Sequence, residues 1–209
     1  MTIKCSVDGA ARRSQRRASR PGPGGRLEPG GWPGHAAAAW GLLFAVPSFV
    51  WAMGSTLGAE STVAPSLMKL AHDRVTWFVT VLWVTGFLKL FGAVLGIGLT
   101  RRRGTWISRL LVFCGGGATV LLVWHGCLFV AHGVLVEAGA LSAAPDLAGL
   151  TRWYLYLWGP WFIVGGLAFA AATIRYVRRQ DALRERLYAA VGALGAALLS
   201  LAATVGGIG

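Results

Sequence analysis

One lysine stands inside an otherwise charge-free apolar stretch, and it is the residue best placed to do chemistry. Lys89 is the single charge in the run Val75–Thr100. On a helix it lies ten residues from Leu99, about 15 Å from the end of the run and close to a bilayer midplane. Its stem is too short to carry the ammonium easily to water from that depth, so it should face other helices or a wet cavity. No Asp or Glu lies within any apolar run to neutralise it, leaving hydroxyls, free carbonyls or water. Counting helical rise from each inner end puts Pro47-Ser48, Gly115 to Thr119, Gly165-Gly166 and Ala197 to Ser200 at roughly the same depth as Lys89. Pro47 also removes a helical hydrogen bond and frees the Leu43 carbonyl, and Pro160 does the same for Tyr156. The expectation is a small polar site at mid-membrane lined by Lys89 and Ser48. Set against it is a structural lysine that bonds to carbonyls and locks helices together. The missing counter-ion favours the structural reading.

The histidines offer less. His125 and His132 are seven residues apart and share a helix face. About 10 Å separates them along the axis, too far for one metal ion. Haem would need a histidine on a facing helix, and the others are His35 and His72. His72, His132 and Glu137 could meet near the outer surface as a metal or proton site, against the plainer reading of interfacial histidines. Two motif echoes carry nothing. Ser66-Leu67-Met68-Lys69 matches the SxxK of acyl-serine enzymes but lacks both companion motifs. Gly92, Gly96 and Gly98 fall inside an apolar run, where helix contact is the better reading. No catalytic residue, cofactor site or metal site is therefore assigned, and no cofactor is expected.

The elements that must position these residues are membrane spans. The chain has 209 residues, of which 55% are hydrophobic and 13% charged. A soluble domain carries about 25% charged residues. The apolar residues gather in five runs that each reach the ~20 residues a bilayer needs. They predict spans at about 36–58, 76–100, 108–134, 153–174 and 187–208. Backbone groups in lipid must pair within their own segment, so each span should be helical. A ridge of small residues in the last span, Gly192, Ala196, Ser200 and Thr204, should face another helix.

Charge sets the threading. The first 35 residues hold seven Lys/Arg, and the successive connections hold two, four, one and five, with none after the last span. This alternation places the N-terminus in the cytoplasm and the C-terminus outside. The net charge of +12 is then explained by loops beside anionic lipid, and no nucleic-acid partner is required. Residues 1–34 are rich in Arg, Gly and Pro and read as a disordered basic arm preceding a helical bundle over 35–209. The arm is too long and basic for a secretory leader; an over-extended start is a mundane origin for it. Cys5 should face a reducing compartment, and Cys114 and Cys127 cannot bridge each other.

Residues 36–179 resemble a family of bacterial multi-pass membrane proteins known as domain of unknown function 3995. The resemblance rests on Ala39-Trp40-Gly41-Leu42-Leu43-Phe44-Ala45 running into Pro47-Ser48-Phe49-Val50-Trp51-Ala52-Met53-Gly54, and on Gly86-Phe87-Leu88-Lys89-Leu90-Phe91-Gly92-Ala93. It continues in Leu157-Trp158-Gly159-Pro160-Trp161-Phe162-Ile163-Val164-Gly165-Gly166 and Arg175-Tyr176-Val177-Arg178-Arg179. The resemblance implies four spans and a bacterial cell-membrane location, so the arm and the fifth span are additions. It implies no activity. The fold expected is all-α, an integral membrane bundle of five transmembrane helices. The function expected is an uncharacterised, non-enzymatic multi-pass protein, an accessory or packing subunit. A small transporter using the Lys89 layer is the alternative, and a membrane enzyme or haem or metal protein is a weaker one. The partners expected are the lipid bilayer and a second copy or another membrane protein.

Overall fold

The computed structural model describes residues 31–142, 144, 147–180 and 183–205. Residues 1–30 of the basic arm, Cys5 and the end of the fifth expected span lie outside them. Among the described residues there is no strand. The helices are α1 (Trp32–Ala52), α2 (Pro65–His72), α3 (Thr76–Gly98), α4 (Thr105–Glu137), α5 (Ala148–Trp153), α6 (Gly159–Gln180) and α7 (Leu183–Val205). A single π-turn, Tyr154–Trp158, joins α5 to α6. Five helical segments are long and apolar enough to cross a membrane: α1, α3, α4, the continuous Ala148–Gln180 and α7. The chain is a multi-pass helical membrane protein.

Helix ends follow local chemistry rather than hydropathy alone. α1 begins at Trp32, with Pro33 in its first turn where a missing N–H costs nothing. Residues 32–34 therefore lie in the first helix. α1 ends at Ala52, because Gly54 turns the chain at φ +108°. The apolar run past that point is loop. α4 runs 33 residues, longer than its apolar stretch at both ends.

Small residues bring the helices together. Gly34, Ala38, Gly41, Ala45, Ser48 and Ala52 are buried along one face of α1 at alternating spacings of four and three. That is the seam of an antiparallel helix pair. Its partner on α3 is Leu82, Gly86, Lys89, Ala93 and Gly96, with Thr100 just beyond. The approach is backbone to backbone: a Cβ on Gly41 would sit 2.8 Å from the Ala93 nitrogen, and one on Gly96 would sit 2.6 Å from the Ala38 nitrogen. α4 meets two helices at once. Gly115 abuts Thr173 of α6, while Gly116 abuts Ala189 of α7. The consecutive glycines let one helix face two neighbours at a single level. The expected ridge on α7 does face a helix: Gly192 lies against the Phe113 carbonyl, Ala196 and Ser200 are buried, and Thr204 accepts a hydrogen bond from Trp124 Nε1 at 3.3 Å.

α1 and α6 are joined around Trp40. Its ring stacks on Trp161, lies over Gly165 and donates Nε1–H to the Trp161 carbonyl at 2.9 Å. Ala37, Leu95, Leu99, Val112, Phe169, Ala172 and Tyr176 complete the core here. A second apolar cluster, Trp51, Ala52, Ala59, Ala71, Phe78 and Leu82, seats the first loop on the bundle.

Side-chain ties sort the loops into two ends. Trp158 Nε1 donates to the Ser61 carbonyl at 2.7 Å and Tyr154 donates to the Thr62 carbonyl, so the first loop and the start of the fourth span share one end. Arg102 donates to the Arg179 carbonyl at 2.7 Å, so the second loop and the end of the fourth span share the other. Arg101, Arg102, Arg103, Arg109, Arg175, Arg178, Arg179, Arg184 and Arg186 gather at this second end, against Lys69, Arg74 and Arg152 at the first.

Candidate functional site

The seam between α1 and α3 carries Lys89 to Ser48. Lys89 occupies a seam position between Gly86 and Ala93, and Ser48 the facing one between Ala45 and Ala52. Lys89 Nζ donates to Ser48 Oγ at 2.8 Å. Ser48 is 2% exposed, so its hydroxyl is available to little else. The ammonium also lies 3.8 Å from the centroid of the Phe44 ring. An aromatic face attracts a cation by about 0.5–2 kcal/mol, the more so away from water. Phe44 sits one turn before Ser48 on the same helix face, so its place beside Lys89 was readable from the i, i+4 spacing. The sequence reading missed it because it looked for hydroxyls and carbonyls.

The layer around Lys89 is aromatic, not small. Phe44 packs on Trp158 and Phe162 at centroid distances of 6.0 and 5.1 Å. Phe162 in turn meets His125 and Phe129 of α4 at 6.1 and 5.7 Å. Gly115, expected in this layer, lies instead beside Leu99 and Thr173 near the arginine-rich end. Gly165 and its neighbour lie at the level of Trp40 and Thr119. The helices do not start flush. Ten residues of α4, about 15 Å at helical rise, precede Gly115, and Gly115 lies level with Leu99 instead of Lys89, a slip of nearly three turns.

Proline acts differently at its two positions. Pro47 lies within α1, one residue before Ser48. Pro160 follows the π-turn Tyr154–Trp158, which widens the helix just where the ring would collide with the preceding turn.

The outer-face site does not form. His72 lies exposed at the end of α2, and His132 and Glu137 are exposed on α4. Five residues of an α-helix turn through about 500°, which leaves His132 and Glu137 on different faces. Glu137 accepts a hydrogen bond from the Tyr156 hydroxyl at 2.8 Å. No group of three His, Cys, Asp or Glu able to hold a metal ion exists among the described residues. His125 is packed edge-on against Phe129, with its Nδ1 buried and unpartnered. A haem between facing histidines has no second ligand in that aromatic setting.

What the arrangement can do chemically is hold a cation in apolar surroundings through one hydroxyl and one ring face. No curated protein and no solved structure matches the chain. The family pattern described as protein of unknown function (DUF3995) matches residues 41–169, from the middle of α1 into α6, taking in Phe44, Ser48, Lys89 and the π-turn and leaving α7 outside. With well over half its length matched, the chain belongs to that family.

Proposed function

We propose that the chain is a non-enzymatic subunit of a bacterial cell membrane, an accessory or packing component in which Lys89 and Ser48 lock the first two spans. The observation that carries this reading is the placement of Lys89 on the close-packed seam between α1 and α3. Its ammonium is held by Ser48 and Phe44 between helices whose backbones already touch. The arginines gathered at one end support a cytoplasmic N-terminus and an external C-terminus. Reporters fused to the two termini test that threading; signals from the same side of the membrane overturn it. The bilayer is the primary partner, and a second copy or another membrane protein is the partner class that an accessory role needs.

The alternative is a small carrier that uses the Lys89 layer. It draws on one observation: an ammonium has three donors, and Ser48 takes one of them. Wild type and Lys89→Met, reconstituted in liposomes, separate the two. A structural lock predicts a destabilised variant and no solute flux from either protein. Wild-type flux of an anionic solute that disappears in Lys89→Met, with stability unchanged, establishes the carrier.

A further inference from the structure

At the arginine-rich end, α6 and α7 diverge around a cavity of about 380 Å³. Its walls are Thr173, Ile174, Val177 and Arg178 from α6 and Arg186 and Ala189 from α7. Both arginines are exposed, and each lies within the terminal turn of its helix. Among the described residues its lining includes no carboxylate. Below the arginines the walls are apolar, apart from Thr173. That residue lies seven positions before the end of α6, about 10 Å deeper at helical rise. It is 5% exposed, and its Oγ1 is turned onto Gly115 of α4 and not into the cleft.

Two guanidiniums above an apolar wall match an anion that carries its own tail. We propose that this cleft seats an anionic glycerophospholipid. The phosphodiester lies between Arg178 and Arg186, and an acyl chain runs along Ile174, Val177 and Ala189. Guanidinium forks suit phosphate oxygens, and basic pockets between spans hold lipid headgroups in this way. Free inorganic phosphate would satisfy the arginines but leave the apolar wall without a role. The neighbouring cleft between α4 and α7, lined by Arg109, Arg184, Leu187, Tyr188 and Val191, differs in one respect. There the Arg109 guanidinium already lies over the rings of Trp106 and Tyr188, at 5.5 and 5.4 Å. The inference stands apart from the role of Lys89.

The test is native mass spectrometry of the full chain, delipidated in detergent and titrated with phosphatidylglycerol or phosphatidylcholine. The wild type should retain phosphatidylglycerol selectively. The pair Arg178→Gln and Arg186→Gln should lower that retention about tenfold or more, whereas Arg101→Gln with Arg103→Gln, which removes the same charge from the same end, should stay within about twofold. Ile174→Ser, which keeps every charge and alters a half-exposed wall residue, should weaken retention about two- to fivefold; it also reads the site should the double variant fold poorly. Equal losses in the two arginine pairs would reduce the effect to diffuse surface charge and overturn the site. So would full displacement of the lipid by inorganic phosphate, or wild-type retention that does not distinguish the two lipids.

Discussion

Gly192 and Gly195 lie three residues apart on α7 and should respond in opposite directions to the same substitution. A Cβ on Gly192 would collide with the Phe113 carbonyl, 2.8 Å from its carbon and closer still to its oxygen, whereas a Cβ on Gly195 would meet nothing within 4 Å. Carbon atoms sit comfortably at 3.5–4.0 Å, so Gly192→Ala must part α7 from α4 by roughly 1 Å. Overpacking of this kind costs about 1–3 kcal/mol. Replacing glycine within a helix returns about 0.5–1 kcal/mol. Gly192→Ala should therefore lose about 0.5–2 kcal/mol, and Gly195→Ala should gain about 0.5–1 kcal/mol, a separation of roughly 1–3 kcal/mol. Reversible unfolding in mixed micelles, followed by helical circular dichroism, measures both variants. If Gly192→Ala proves as stable as Gly195→Ala, α7 does not rest on α4 through this glycine, and the account of the fifth span is wrong.

Three further outcomes are expected. In a double-mutant cycle, Ser48→Ala and Lys89→Met should couple by about 0.5–1.5 kcal/mol, the range for hydrogen bonds between spans; additive losses would show that the 2.8 Å contact contributes nothing. Tyr154→Phe and Trp158→Phe each remove a donor to the first loop, so each should cost about 1 kcal/mol and speed amide exchange around Ala59 to Val63. Protection that stays at the wild-type level in that segment would refute the tie. Zinc in excess should leave the melting temperature of the wild type unchanged, since His72, His132 and Glu137 do not converge; a zinc-induced rise that His132→Ala abolishes would restore that site.

The number of spans, their order and the Lys89–Ser48 pairing were legible in the sequence for different reasons. Spans are legible because lipid demands runs of apolar residues wherever the helix meets it. The pairing was legible because two polar residues at matching depth in oil have few other partners. Helix ends were less so. Hydropathy reports solvent and not backbone conformation, so it ran past the turn at Gly54 and stopped short of both ends of α4. The aromatic layer was hidden by the same limitation. Phe44, Phe162 and Phe129 look alike as lipid-facing or core residues, and which ones turn inward depends on the close approach at Gly41 and Gly126. The outer-face site failed on helical angle: proximity in sequence placed His132 and Glu137 at one end but said nothing of direction.

The widened turn at Tyr154–Trp158 adds one residue to the circuit of the fourth span. At its two ends the rings of Tyr154 and Trp158 reach the first loop, while after it Gly159 and Gly166 turn their bare backbones toward α4. An unbroken α-helix could not serve both tasks, since each residue advances the azimuth by about 100°. Deleting Leu157 would leave the segment as greasy as before and every hydropathy plot unchanged. It would also swing the portion that precedes Leu157 by a quarter-turn or more against Gly159 and aim the Tyr154 hydroxyl away from the carbonyl it holds. In this protein a length change too small to alter membrane insertion is large enough to undo the closure of one face of the bundle.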